Sequence, residues 1–400
     1  MILEIFLALL LGVSAGTITG LAPGIHINLV AMLLFISSAA LLQFTSPIVL
    51  ACFIISMSVV HTFIDFIPSI FLGAPEESTA LSILPGHKLL LQGRGYEAIK
   101  LTTMGCYAGI LCLLFVVPIF IITLPAVYET LNFLIPFAMI LASAFLVIKE
   151  KKPFLGFIIF MFAGILGILT LSFYSIKEPL FPLLTGLFGT STILTSISQK
   201  TELPKQKITY EKTESKKIFA LLPSSIVSSS LCAFLPGLGS SQAAVLGSQL
   251  EKKSSEPKNF LILLGMISTL VLGLNFAALY IINKSRSGTG VIIQKLIPEI
   301  SLAHLWLFLA VMLVSGSIAV FLSLFFAKAF AKYISMINYA KLNYAILFIL
   351  TIMSIIISSP LSLIILITST SLGILAINSG VRRIQLMGCL IVPVILYFLL

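Results

Sequence analysis

Charge is what this sequence has least of. Asp, Glu, Lys and Arg together make 10% of its 400 residues, against 59% hydrophobic ones, and mean hydropathy is +1.16. A soluble globular domain is excluded, and the chain falls among polytopic membrane proteins. The net charge of +10 does not signal a nucleic-acid partner, because nearly all the lysines and arginines sit in short loops between apolar runs, as positive-inside topology requires. Cysteine is sparse and unpatterned. Cys52, Cys106, Cys112, Cys232 and Cys389 lie in apolar stretches with no CxxC spacing, which excludes a disulfide framework and a zinc site and leaves them as small packing residues. There is no phosphate-binding G-x-x-x-x-G-K-[ST] loop, and Gly93-x-Gly95 has no strand ahead of it. No catalytic constellation and no cofactor motif is found. The amino end lacks the basic n-region of a signal peptide, with Glu4 as the sole early charge, so residues 2 to 22 read as a first membrane helix that stays on the chain.

What is present is a pair of proline-glycine breaks inside apolar stretches. They are Leu21-Ala22-Pro23-Gly24-Ile25-His26 and Phe234-Leu235-Pro236-Gly237-Leu238-Gly239-Ser240-Ser241-Gln242. Proline removes a backbone donor and glycine opens conformations closed to other residues, so each pair interrupts its helix. Backbone groups freed at membrane depth are tolerated where they are buried in protein or line a wet cavity. A spanning helix needs about twenty apolar residues, and this length divides the chain. Residues 2–22 and 25–42 flank the first break. Spans follow at 48–72, 99–122, 125–148, 153–174 and 178–197, with an interrupted stretch at 73–79 and a short apolar run to Leu91. Beyond the lysine-rich segment 198–217 the pattern recurs. Residues 218–235 and 238–250 flank the second break, 259–282 is a span, 283–290 is an interruption, and spans at 301–328, 342–358, 360–378 and 384–400 finish the chain.

The halves overlay with an offset near 210: Pro23-Gly24 falls on Pro236-Gly237, Asp65 on Asn275 and Thr79 on Thr289. The expected architecture is an all-α polytopic membrane protein of two inverted-topology repeats. They are residues 1–197 and 218–400, joined by the basic cytoplasmic linker 198–217. If each broken segment enters and leaves on one side, about five further spans remain per half, and an odd number inverts the second copy. Placing the N-terminus outside puts 20 of the 24 basic residues on the cytoplasmic side and leaves Lys177, Lys284, Arg286 and Lys295 outside, which the positive-inside rule favours for a protein of the cell membrane.

These residues resemble a known family. Gly16-Thr17-Ile18-Thr19-Gly20-Leu21-Ala22-Pro23-Gly24-Ile25 and Leu235-Pro236-Gly237-Leu238-Gly239 are similar to the paired glycine-rich segments of the large membrane subunit of tripartite tricarboxylate transporters, the TctA-type permeases. Ile83-Leu84-Pro85-Gly86-His87-Lys88, followed by Gln92-Gly93-Arg94-Gly95-Tyr96-Glu97-Ala98, resembles the family loop that ends in Gln-Gly-Lys/Arg. His26 stands where the family pattern has its second glycine, and Pro85 where the loop often carries an aspartate, as in a divergent, archaeal-type member. The resemblance implies transport of a di- or tricarboxylate on an ion gradient, with a small membrane subunit and an extracytoplasmic binding protein as partners.

Read from the residues, the breaks are anion sites, because N–H groups at a helix start and the helix dipole hold a negative ligand. The substrate-binding candidates are Pro23, Gly24, Ile25, His26, Pro236, Gly237, Gly239, Ser240, Ser241 and Gln242, with Thr79 and Thr289 from the two interruptions. A packing kink is the alternative for each break. Asp65, with His61 one turn earlier, is the conspicuous ionisable pair inside a span. A lone Asp at a helix centre costs about 2.5–3.5 kcal/mol on insertion scales, so it must face protein or water. Asp65, His61 and the matching Asn275 are the ion-coupling candidates for sodium or a proton, against an interhelical hydrogen bond as the bland reading. Glu76 and Glu77 read as caps of the following helix, Arg286 as a loop charge or a carboxylate partner, and Glu299 and His304 as interfacial. The function expected is ion-coupled transport of a small organic anion by alternating access. A lipid or polyprenyl carrier and an intramembrane enzyme are the alternatives; a homo-oligomer is compatible with either transport reading.

Overall fold

The computed structural model describes the chain apart from residues 1, 23–33, 35–40, 73–82, 174, 177, 199–203, 209–214, 235–239, 251–255, 284, 286, 335–338 and 400. Among the described residues all regular structure is helical. The first half carries α1 (Ile2–Leu21), α2 (Pro47–Ile64, continued by a π-helical turn Pro68–Leu72), α3 (Ile83–Leu91), α4 (Gly95–Ile148), α5 (Pro153–Leu171), α6 (Leu180–Leu184) and α7 (Ser191–Ser198), the last two joined by a π-helical turn Thr185–Thr190. The second half carries α8 (Ser215–Phe234), α9 (Ser240–Leu250), α10 (Pro257–Ile282), α11 (Gly288–Leu296), α12 (Leu302–Tyr333), α13 (Tyr339–Ile357), α14 (Ser362–Ser379), a 3-10 turn Arg383–Met387 and α15 (Gly388–Leu399). Eight stretches among the described residues are long and apolar enough to cross a membrane.

Element lengths recur between the halves. The spans Pro47–Leu72 and Pro257–Ile282 each have 26 residues. Each begins on a proline at the first helical position, where the missing N–H costs no bond. Gly95–Ala126 and Leu302–Tyr333 each have 32 residues, α1 and α8 each have 20, and α3 and α11 each have 9. Packing partners exchange in the same way. α4 lies along α10, and α12 along α2; α5 lies along α15, and α14 along the 185–190 turn; α3 touches α10, and α11 touches α2.

Polypeptide backbones meet closely at these seams because glycines line them. Gly12, Gly16 and Gly20 of α1 face α2, where a Cβ on Gly12 would lie 2.6 Å from Phe53 O and one on Gly20 2.8 Å from Ile64 Cβ. Gly105 and Gly109 of α4 press on Ile262 and Met266 of α10, and Gly265 of α10 presses on Thr102 of α4. In lipid the drive for helix association is close van der Waals contact, and small residues permit it. Large apolar side chains such as Phe115, Ile122, Phe154, Phe321 and Phe325 point outward instead, as a lipid-facing surface requires.

The sequence predicts a loop between spans 99–122 and 125–148, but the backbone there is helical throughout α4, across Pro118, Pro125 and Pro136. Fifty-four residues of straight helix would extend about 80 Å. Yet Glu150, just past its end, bonds Arg382. The neighbouring Arg383 is close enough for its charge to act on His87 of α3, which leads into the start of α4. The two ends therefore lie closer together than a straight helix allows, and the helix bends within its proline-bearing stretch.

Connecting segments fall into two sets that contact within themselves. In one, Glu97 accepts from Lys258 at 2.8 Å and from Arg94 at 2.6 Å. There too Gln206 of the linker accepts from Gly95 N–H at 2.9 Å and donates to Leu90 O at 3.0 Å, and Lys207 N–H donates to Gly93 O at 2.7 Å. Gly93 turns there with φ +75°, in the left-handed region open to glycine. In the other set, Ser358 donates to Glu178 O at 2.8 Å.

Candidate functional site

The described end of α1 lies beside the C-terminal end of α2. Gly20 sits on Ile64, and Thr19 Oγ1 lies 3.1 Å from His61 Nδ1. Asp65 follows one turn on, 3% exposed. Pro68 then has no N–H to return to the Ile64 carbonyl, and the helix widens to its π-helical turn there. Thr62 O accepts a weak bond from Cys106 Sγ of α4 at 4.0 Å, and Cys106 O accepts from Thr269 Oγ1 of α10 at 2.8 Å. Polar groups of α2, α4 and α10 thus meet inside an apolar bundle at the level of Asp65. From the far side, Ser323 of α12 bonds Thr103 at 2.8 Å and reaches Phe63 O at 3.5 Å.

Asn275 occupies the matching place in α10, 4% exposed. Its Nδ2 donates to Val271 O at 2.9 Å, while its buried Oδ1 has no partner among the described residues. An unmet buried acceptor costs about 1–3 kcal/mol. Among the described residues no three His, Cys, Asp or Glu side chains cluster as a metal site.

α10 ends at Asn283 in the left-handed conformation, and the interruption after it is closed by hydroxyls. Ser287 caps α11, accepting from Gly290 N–H at 3.1 Å, and Thr289, 1% exposed, donates to Ser287 Oγ at 3.3 Å. The Thr289 hydroxyl is thereby turned back onto its own cap. Its counterpart Thr79 lies outside the described residues.

At the second break the two arms fold back on each other. Gly247 of α9 faces Ser228 and Ser224 of α8, its Cβ position 2.7 Å from Ser228 Oγ. Ser240 at the start of α9 is 7% exposed. Ser241 and Gln242 belong to α9 by backbone, and their side chains lie outside the described ones, as do Pro23, Gly24, Ile25, His26, Pro236, Gly237, Gly239, Glu76, Glu77 and Arg286. Sequence reasoning missed the serine face of α8. Ser224, Ser225, Ser228 and Ser229 are all buried, and Ser228 Oγ has no partner among the described residues. Their i, i+1, i+4, i+5 spacing is the signal that marks one helix face.

His304 and Glu299 lie at and just before the start of α12. His304 completes a capping box with Ser301 at the start of α12, and both border an open groove of about 510 Å³ that includes Pro47 and Ile297. Arg382 and Arg383, which the sequence groups as loop charges, differ in surroundings. Arg382 is partly exposed and holds the fully buried Glu150 at 3.0 Å. Arg383 is 5% exposed.

No solved structure matches this chain. An uncharacterised protein of Methanocaldococcus jannaschii is 32% identical over 402 residues, covering 98% of each chain. Residues 6–388 match the Tripartite tricarboxylate transporter TctA family. That match takes in both proline-glycine breaks, the Asp65 and Asn275 helices and nearly all of the bundle around them, so the chain belongs to the TctA family of tripartite tricarboxylate transporters.

Proposed function

We infer that this chain is a transporter component and not an enzyme, as its family is, so the intramembrane-enzyme alternative falls away. We propose that this chain is the permease through which a small di- or tricarboxylate crosses the membrane, coupled to sodium or protons, by alternating access of two inverted repeats. The observation that carries the reading is the match between α2 and α10. Two equally long spans start on proline, bury an Asp and an Asn at corresponding positions, and are each followed by an interruption and a nine-residue helix. Paired interruptions of this sort are the recognised sign of a midplane site in transporter repeats.

In this reading the two Pro-Gly segments approach the midplane from opposite faces and hold the carboxylate on backbone N–H groups, assisted by Ser240, Ser241, Gln242 and His26. Asp65, with His61 and Asn275, holds the coupling cation or proton. The N-terminus lies outside and the linker in the cytoplasm. A small membrane subunit and an extracytoplasmic binding protein complete the system, as the tripartite family implies. The test is substitution of the breaks: Gly24→Leu or Gly237→Leu, which fill the close approach of anion to backbone, abolish uptake while the protein still inserts and folds. Full uptake by both variants removes the site from the breaks.

A further inference from the structure

Two turns hold equivalent places in the two halves. Residues 92–94 join the nine-residue α3 to α4, and residues 297–301 join the nine-residue α11 to α12. Each stands beside the proline-led start of the other half's central helix. At the first, Glu97, third residue of α4, pairs at 2.8 Å with Lys258, second residue of α10. At the second, His304, third residue of α12, shares a groove with Ile48, second residue of α2. The two places lie at opposite ends of one 26-residue span: Gly95 meets Phe71 near its end, and the groove meets Pro47 at its start. That is a separation of about 40 Å along the helix, so they face opposite sides of a membrane.

The first place is filled by the chain itself. A non-helical linker segment, Pro204-Lys205-Gln206-Lys207-Ile208, lies on it: Lys207 N–H donates to Gly93 O, Gln206 spans Leu90 O and Gly95 N–H, and Ile208 packs on the core. Lys205 O sits only 2.8 Å from where a Cβ on Gly93 would be. The glycine turn thus receives the segment backbone to backbone. The second turn has five residues against three, none of them glycine, and offers side chains instead. Leu296, Ile297 and Pro298 with Pro47 and Ile48 wall an open groove of about 510 Å³, which Glu299 and His304 also line.

Glu299 is exposed, and among the described residues no ion pair holds it. His304 accepts Ser301 N–H on Nδ1 at 3.3 Å and stacks on Phe308, so its ring hydrogen is on Nε2, which is left as a donor. A lone carboxylate is costly against lipid tails, so the groove opens to water. The carboxylate calls for a lysine or arginine and the walls for apolar side chains. That is the composition of the linker segment seated on the equivalent turn.

We propose that this groove is a docking seat for a non-helical segment of a soluble protein on the side opposite the linker, a segment that sets a lysine or arginine on Glu299, apolar side chains on the Pro47, Ile48 and Pro298 walls, and an acceptor on His304 Nε2. This rests on the transport reading with its linker in the cytoplasm, which makes the docked protein extracytoplasmic. The groove is then the outward counterpart of the seat that the linker fills inside.

The experiment uses the full chain in nanodiscs and, as probe, the extracytoplasmic binding protein that the family implies. Affinity is read by interferometry, and hydrogen exchange is followed on the chain. The probe is expected to slow exchange at residues 297–303. Glu299→Lys is expected to weaken binding about tenfold or more, with Glu299→Gln between it and the wild type. Neither is expected to shift the unfolding temperature, since Glu299 is exposed and unpaired. Pro298→Ser, which trims an exposed part of the wall, is expected to weaken binding several-fold. Unchanged affinity in both Glu299→Lys and Pro298→Ser overturns the proposal. So does slowed exchange of the same amides by lipid added without the probe, which gives the groove to lipid. A wild type that takes up carboxylate with the probe present, yet shows no slowing at 297–303, also overturns it and leaves the transport reading standing. A wild type that takes up no carboxylate under any gradient refutes the transport reading instead.

Discussion

Thr19 Oγ1 and His61 Nδ1 meet at 3.1 Å across the glycine seam between α1 and α2. The helix that leads into the first proline-glycine break is thereby tied to the helix that carries Asp65. Thr19→Val is expected to cost about 1 kcal/mol, the net value of one hydrogen bond. Gly16→Leu is expected to cost more, because its side chain would collide with Met57 O and Val60 of α2. Fluorescence-monitored unfolding in detergent measures both, with the exposed Ser14→Ala as a neutral control. A Gly16→Leu protein as stable as the wild type would mean that α1 does not occupy this seam.

Asp65 and Asn275 stand at matching places, both buried, and are not chemically equal. Asp65→Asn is expected to remove the dependence of uptake on the imposed ion gradient and leave exchange of carboxylate across the membrane. Asn275→Ala, which deletes the unmet Oδ1, is expected to raise the concentration of coupling ion needed for half-maximal uptake several-fold. Initial uptake rates against ion concentration decide the matter; unchanged ion dependence in both variants takes the coupling site away from these helices.

Glu150 predicts a pH signature outside the membrane spans. Burial pushes its carboxyl up, but hydrogen bonds from Gln385, the Lys151 N–H and Arg382, with the Arg382 charge, outweigh burial and hold it below its ordinary value of 4.5. A depressed folded-state pKa adds stability that is complete above the unfolded-state value and is lost as pH falls through the folded one. Unfolding temperature should therefore fall more steeply for the wild type than for Glu150→Gln as pH is lowered from about 4.5 down through the depressed folded-state value, and the curves should run parallel above that window. Parallel curves within the window would contradict this.

Gln206 fastens the linker to the turn between α3 and α4 through Gly95 N–H and Leu90 O. Gln206→Ala should quicken tryptic cleavage after Lys205 and Lys207 relative to the wild type, read by mass spectrometry of the fragments. In sealed vesicles that cleavage should occur when the cytoplasmic face is exposed and not in the opposite orientation; cleavage in the opposite orientation would reverse the assigned topology.

Much of this architecture was legible in the sequence. Apolar run length marked the spans, because it follows from burial in lipid, a property of local composition. Run length put the starts of the two central spans at 48 and 259, next to the Pro47 and Pro257 that begin the helices. The continuous helix across 122–125 was not legible, since proline ends a helix in water more readily than in a packed membrane bundle. The Gly12, Gly16 and Gly20 seam and the serine face of α8 carried the correct periodicity, but what they face is a matter of tertiary packing. Arg382 and Arg383 show the limit most plainly. They are adjacent and chemically identical, and the turn points one toward Glu150 and the other into the bundle.

The most direct test of the central claim is initial-rate uptake into liposomes holding the full chain, with its partner subunits supplied, for a panel of mono-, di- and tricarboxylates under separately imposed sodium and proton gradients. The account predicts saturable accumulation of a di- or tricarboxylate driven by one of the two gradients and abolished by Gly24→Leu and by Gly237→Leu. Uptake that neither saturates nor responds to either gradient, or accumulation untouched by both substitutions, would contradict it.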